Sequence, residues 1–213
     1  MSVSQLGELD LLQGGRRGAC VLVAIKARAH CKSRLARALA PAARVQLVRS
    51  MLAAVLSAAQ AARTVRQVIV VSPERDTIAK ELPVLEDTGE SLNGALTRAH
   101  RVLRGLGCRE LVVLPADLPT LSGRDIDTLV RAGRSGGFAL APDADGVGTN
   151  ALCLASAQPF RFQFGVNSRQ LHFKEALRMG FRAEVVRLPG LEFDVDSPAD
   201  LARLERQPWR ACR

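Results

Sequence analysis

The sequence predicts a single α/β domain built on a mainly parallel sheet with helices on both faces. Three observations predict it. The strand-like runs are apolar throughout rather than alternating, as strands buried on both faces must be. Segments with the apolar spacing of amphipathic helices lie between them. No internal repeat, low-complexity stretch or Pro/Ser-rich linker divides the 213 residues. The domain is assigned to residues 19–207, with 1–18 as a flexible N-terminal tail and 208–213 as a C-terminal tail.

The first strand is ACVLVAI, Ala19 to Ile25. Pro41, favoured in a first helical turn, opens a helix whose Val48, Met51, Leu52, Val55, Leu56 and Ala59 keep one face apolar. VRQVIVVS (Val65 to Ser72) is a second strand, followed by a short helix around Asp76 to Leu82 and a strand or turn at PVLED. SLNGALTRAHRVLRGLG is an amphipathic helix stopped by Gly107, with His100 expected on its polar side. ELVVLPADLP is the next buried strand, and Ser122 with Asp125 has capping-box spacing before a helix carrying Ile126, Leu129 and Val130. The stretch FALAPDADGVGTNALCLA leads to a helix near SRQLHFKEALRMG and a strand at AEVVRLP. Ser197-Pro198 starts a last helix.

Composition narrows the function classes. The net charge of +9 permits a polyanionic partner, but the arginines are dispersed along helices and aromatics make up only 4%. A nucleic-acid-binding surface needs a basic block with stacking side chains, so no nucleic-acid partner is expected. No apolar run approaches the ~18 residues of a membrane span, and residues 1–18 show no secretory signal, so no membrane partner is expected either. Five scattered cysteines without a C-x-x-C pair argue against a disulfide framework or zinc site and fit a reducing cytoplasm.

Open α/β sheets bind ligands beyond the carboxyl ends of their strands, and four polar features fall there. Two of the four lysines, Lys26 and Lys32, sit with Arg28 and Arg34 in the turn after the first strand. A strand–loop–helix of this kind suits phosphates, although neither a P-loop nor a dinucleotide fingerprint is present. Asp117 emerges from the buried strand LVVLPAD, where a carboxylate needs a partner. Asp194 and Asp196 alternate along EFDVDSP, so both point to one side; two carboxylates held together call for a cation. Mg²⁺, which takes carboxylate and phosphate oxygens, is the natural one. Asp196 could instead cap the helix at Pro198, but Ser197 is already available for that. Finally, GVGTNAL and FGVNS offer backbone amides and neutral donors suited to a small anion. The three histidines are isolated, and no Ser-His-Asp or Cys-His arrangement emerges.

VLVAIKARAHCKSRLA, VIVVSPE, SLNGAL, LVVLPADLPTLS, GVGTNAL, FGVNS and EFDVDSPADL occur in the order found in the phospholactate guanylyltransferase family (CofC/FbiD type), which the chain resembles from about Ala19 to Leu204. Cys31 departs from the small residue usual at its place. The resemblance implies a nucleotidyltransferase-like (Rossmann-like) fold and GTP as donor. The acceptor it implies is a small phosphorylated three-carbon acid: 2-phospholactate, phosphoenolpyruvate or 3-phosphoglycerate. It places the reaction in coenzyme F-420 biosynthesis, in the cytoplasm, and allows a homodimer. By matching motifs, Asp117, Asp194 and Asp196 would hold Mg²⁺, and Thr149, Gly165 and Ser168 would contact the phosphoacid. Lys26 and Lys32, with Arg34, would lie along the triphosphate, and Ser72 and Asn93 near the nucleoside. Lys26, Lys32 and Asp117 would carry the catalytic work. Other nucleotidyltransferases, of the sugar-nucleotide or molybdopterin type, share such a fold but normally carry a Gly-rich opening loop. A non-catalytic nucleotide-binding regulator would not need three aspartates.

Overall fold

The computed structural model describes residues 18–25, 32–72, 82–86 and 91–207. Among the described residues, seven strands form one sheet in the order β3-β2-β1-β4-β6-β5-β7. They are β1 (Ala19–Ala24), β2 (Val65–Ser72), β3 (Val84–Glu86), β4 (Leu111–Pro115), β5 (Gly137–Pro142), β6 (Thr149–Leu154) and β7 (Arg182–Val185). The pairs β1–β2, β2–β3, β1–β4 and β5–β7 are parallel; β6 runs antiparallel to both β4 and β5. Only β6 therefore presents its first residue, Thr149, at the edge where the other strands end.

Period-two alternation sends side chains into two cores. Val21, Val23, Val70, Val112 and Leu114 face one cluster, and Cys20, Leu22, Ile69, Val71 and Val113 the other. Helices α1 (Pro41–Ala61) and α3 (Gly123–Gly136) cover the first face, and α2 (Leu92–Gly105) and α4 (Ser168–Arg178) the second. This is the predicted sheet, covered on both sides. A smaller third cluster joins Leu35, Met51, Phe193, Val195 and Leu204 at the carboxyl edge.

Capping chemistry sets several boundaries. Ser122 and Asp125 close a reciprocal capping box on α3, as their spacing predicts, and Ser197 with Asp200 closes another on α6 (Pro198–Glu205). Ser197 thus takes the capping role, and the Asp196 side chain lines the cleft.

Three expectations need correction. The predicted AEVVRLP strand is shorter than expected: β7 covers only Arg182–Val185, and Pro189, whose fixed φ suits a first helical turn, opens the one-turn helix α5 (Pro189–Glu192) after three intervening residues. His100 lies on the buried face of α2, between Leu96 and Leu103 in helical spacing, and is only 4% exposed with its ring edge-on to Phe162. Burial, followed by the charge of Arg104, lowers its pKa to about 4. Helix α1, with 21 residues and a mean hydropathy of 1.3 in its most apolar window, is long and apolar enough by composition to cross a membrane, contrary to the first reading. Here Met51, Leu52, Val55, Leu56 and Ala59 are buried within the protein, which accounts for its apolar character. The helix expected around Asp76 to Leu82 lies, except for Leu82, outside the described residues.

Candidate active site

A cleft of about 610 Å³ opens at the carboxyl edge of β1 and β4, roofed by the start of β6 and of α4. Its charged centre is assembled from distant parts of the chain. Asp117 follows β4, Lys32 follows β1, and Asp194 and Asp196 precede α6, where Phe193 and Val195 turn inward into the third cluster. The two aspartates alternate with these two apolar anchors, and this places both carboxylates at the cleft.

Lys32 is the hub. Its Nζ donates to Asp117 Oδ2 and to Asp196 Oδ1, each at 2.6 Å, with the lysine side chain only 8% exposed. Burial works to lower its pKa, but the charges and hydrogen bonds of Asp117 and Asp196 outweigh it and hold the ammonium above its ordinary value. Its φ of 55° is left-handed, a conformation a lysine adopts only at a cost of roughly 1 kcal/mol or more. Asn167, at φ 56°, is the other such non-glycine residue among those described, and it immediately precedes α4 at the far side of the cleft.

Among the described residues no lysine pairs with Asp194. Burial, then the charge of Asp117, raises its pKa to about 6; a hydrogen bond from Asn150 works in the opposite direction and the charge of Asp196 adds to the rise. The Asn150 amide reaches Asp194 Oδ1 at 3.3 Å and also donates to the carbonyls of Leu191 and Glu192, so one side chain ties β6 to the aspartate strap. Two carboxylates, Asp117 and Asp196, share the Lys32 ammonium, and Asp194 lies close enough to both for their charges to act on it, a gathering of negative charge that suits a further cation. Among the described residues, however, no three His, Cys, Asp or Glu side chains are already gathered as ligands of one ion. The donor set suits Mg²⁺ in its usual mode, with one or two carboxylates and the remaining positions on substrate phosphates and water.

The opposite end of the cleft is built from backbone. Asp143 accepts from the amides of Val147 and Gly148 at 2.9 and 2.8 Å, folding the β5–β6 turn over its carboxylate. A Cβ on Gly148 would collide with Asp143 Oδ2, so any other residue would require the Asp143 carboxylate to move off the turn amides. Thr149, Gly165 (φ +127°) and Ser168 line this end together with Asp143.

The sequence profile of the family described as "Guanylyl transferase CofC like" matches residues 19–205. A phosphoenolpyruvate guanylyltransferase from Rubrobacter xylanophilus is 38% identical over 189 residues, covering 86% of this chain and 92% of the relative. One from Chloroflexus aggregans is 36% identical over 184 residues, covering 83% and 91%. The chain belongs to the CofC-like guanylyltransferase family. Among solved structures, a nucleotidyl transferase from Methanothermobacter thermautotroptrophicus superposes with a TM-score of 0.60 at 19% identity, covering 89% of this chain and 96% of that one. A CMP:2-keto-3-deoxy-manno-octonic acid synthetase complexed with CTP gives 0.59 at 13% identity, covering 88% and 96%. These two likenesses show the nucleotidyltransferase-like fold.

Of the residues singled out in this CofC-like chain, Lys32, Arg34, Asp117, Thr149, Gly165, Ser168, Asp194 and Asp196 all line the one cleft. Lys26 lies outside the described residues. Ser72 is sealed at the end of β2, 1% exposed, and does not line the cleft. Asn93 does not line it either: its amide clamps the backbone of Phe164, accepting from the N–H at 2.8 Å and donating to the carbonyl at 3.0 Å. Both were expected near the nucleoside. Helix α2 turns Asn93 toward Phe164, which itself lines the cleft. Sequence reasoning missed Asn150 and Asp143, whose partners are backbone groups and a carboxylate that only folding brings near. It also set aside His172, which had no sequence neighbour to suggest a role.

Proposed function

We propose that the protein transfers GMP from GTP to the phosphate of a small phosphorylated three-carbon acid, releasing pyrophosphate. Phosphoenolpyruvate, 3-phosphoglycerate and 2-phospholactate are the candidate acceptors, and coenzyme F-420 biosynthesis is the pathway. The observation that carries the reading is the Lys32 bridge between Asp117 and Asp196 at the floor of a cleft whose other end is lined by Thr149, Gly165 and Ser168. One end suits a polyphosphate with its cation; the other suits a small anion.

An acceptor phosphate oxygen attacks the α-phosphorus of GTP, and the bond to the pyrophosphate oxygen breaks. A phosphate monoester is largely ionised near neutral pH, its second pKa being about 6, so no general base is needed. This agrees with two buried histidines whose pKa values are lowered to about 4. Asp117, with Asp194 and Asp196, would hold Mg²⁺, which supplies positive charge against the triphosphate. Lys32 and Arg34 stand ready to follow charge as it moves onto the leaving group, the lysine by exchanging a carboxylate for a phosphate oxygen.

The test is pyrophosphate release from purified protein with GTP, Mg²⁺ and each candidate acid in turn. Release with one of the three acids, and none without acid, is expected. No release with any of them would sink the acceptor class.

A further inference from the structure

One buried imidazole stands directly behind the acceptor end of the cleft. His172, on the second turn of α4, is 0% exposed. The ring of Phe164 meets it edge-on at 4.8 Å and that of Phe160 lies 6.0 Å away. The backbone N–H of Gln163 donates to His172 Nε2 at 2.9 Å. A backbone amide nitrogen only donates, so Nε2 carries no proton. The other ring nitrogen, Nδ1, lies 3.1 Å from Thr149 Oγ1.

These contacts decide a direction. Burial holds the imidazole pKa down at about 4, with Glu175 pulling only weakly the other way, so the ring is neutral at pH 7. A neutral imidazole has one proton; with Nε2 accepting, it sits on Nδ1 and is donated to Thr149 Oγ1. The threonine oxygen then accepts from behind, and its own hydrogen is left to point elsewhere. Among the described residues no other hydrogen bond of Thr149 Oγ1 is recorded, and Thr149 lines the cleft. The opposite tautomer would draw the threonine hydrogen back toward the ring and turn only lone pairs toward an anion.

We propose that His172 is a positioning residue that fixes the Thr149 hydroxyl as a hydrogen-bond donor toward the anionic oxygens of the acceptor. The relay has a fixed origin. Asn93 clamps Phe164 at both its N–H and its carbonyl, and Phe164 adjoins the Gln163 amide that selects the tautomer. Asn93 thereby bears on the acceptor end through the backbone of Phe164. The identity of the acceptor as an anion rests on the proposed function; the tautomer does not.

The experiment therefore has two arms. Protein labelled with ¹⁵N-histidine and examined by long-range ¹H–¹⁵N NMR at pH 7, without substrate, is expected to show His172 Nδ1 protonated and Nε2 bare. A protonated Nε2 overturns the proposal. In the kinetic arm, His172→Phe is expected to raise the acceptor KM by roughly tenfold, with the GTP KM and kcat within about twofold. His172→Asn, whose amide nitrogen falls near the Nδ1 position, should restore most of the loss. Thr149→Val should lose as much as His172→Phe, and the double variant should lose nothing further. Additive losses, or equal damage to the GTP KM, overturn it, with circular dichroism as the folding control. Absence of turnover in the unaltered protein with every acid would remove the acceptor reading while the NMR arm still decides the tautomer.

Discussion

Asp194→Asn should stabilise the protein in metal-free buffer, and only above a definite pH. Its carboxyl is raised from 3.8 to about 6, first by burial and then by the neighbouring charge of Asp117. The folded state therefore binds a proton more tightly than the unfolded state, and stability falls as pH rises from about 4 to about 6. Above that window the whole penalty is present. Two pKa units correspond to about 3 kcal/mol, and the carboxyl's remaining contact with water reduces this to roughly 1–2 kcal/mol. For a domain of this size that is a gain of roughly 2–8 °C in Tm. The substitution keeps an oxygen for the Asn150 amide, so the tie between β6 and the strap survives. Thermal unfolding of both proteins with chelator, at pH 7.5 and at pH 4, is the assay. The Asn variant should be the more stable at pH 7.5, with the difference gone at pH 4. An equal or lower Tm at pH 7.5, or a difference that does not change with pH, would refute the electrostatic argument.

Asp117→Asn and Lys32→Ala should behave differently from Asp194→Asn. Asp117→Asn leaves the 8%-exposed Lys32 with a single carboxylate, so it should lower Tm as well as turnover, and an unchanged Tm would show that Asp196 alone suffices. Lys32→Ala should lower kcat/KM for GTP on the order of 10²-fold, about 3 kcal/mol of transition-state stabilisation; wild-type kinetics would return Lys32 to a structural role. GTP should be used in strong preference to ATP, because a site that pairs with the guanine edge leaves polar groups unpaired against adenine. Equal use in pyrophosphate-release assays would remove the guanylyl assignment from this chain. Gly148→Ala would put its Cβ against Asp143 Oδ2 and should raise the acceptor KM with little change in that for GTP; an unaltered acceptor KM would mean that the turn yields without consequence.

How much was legible depended on whether a residue's partner was local. Strands buried on both faces could be read from continuous apolar runs, the Ser122–Asp125 capping box from its spacing, and Ser197 as the cap of the last helix from its place before Pro198. Asp117 was readable because a carboxylate at the end of a buried strand has few other reasons to be there, and Asp194 and Asp196 because their alternation along a short segment puts two carboxylates on one side. The direction of β6 was not readable from its residues, since TNALCL is as apolar as any parallel strand. The short turn at 143–148 was the available clue, because a parallel return needs a crossover of a dozen or more residues. His100 was misread because its place on the apolar face depends on the phase of α2, and a polar residue within that phase looks like an exception until Phe162 is seen beside it. Asn93, Asn150 and His172 act through backbone groups far along the chain, and side-chain chemistry alone does not reveal such partners.

The small third cluster makes the cleft a unit of local unfolding. Leu35, three residues after Lys32, shares it with Phe193 and Val195, which bracket Asp194. Neither segment leaves its place without exposing apolar surface on the other, and the Lys32–Asp196 ion pair adds to that coupling. The two segments, distant in sequence, should therefore open together, with one opening free energy below that of the central strands. In native-state hydrogen exchange, the amides of Leu35 and Val195 should show a common protection that rises in step when substrate or metal is added. Lys32 and the aspartates around it would then order as one body, so that assembling half of the cleft already assembles the other half.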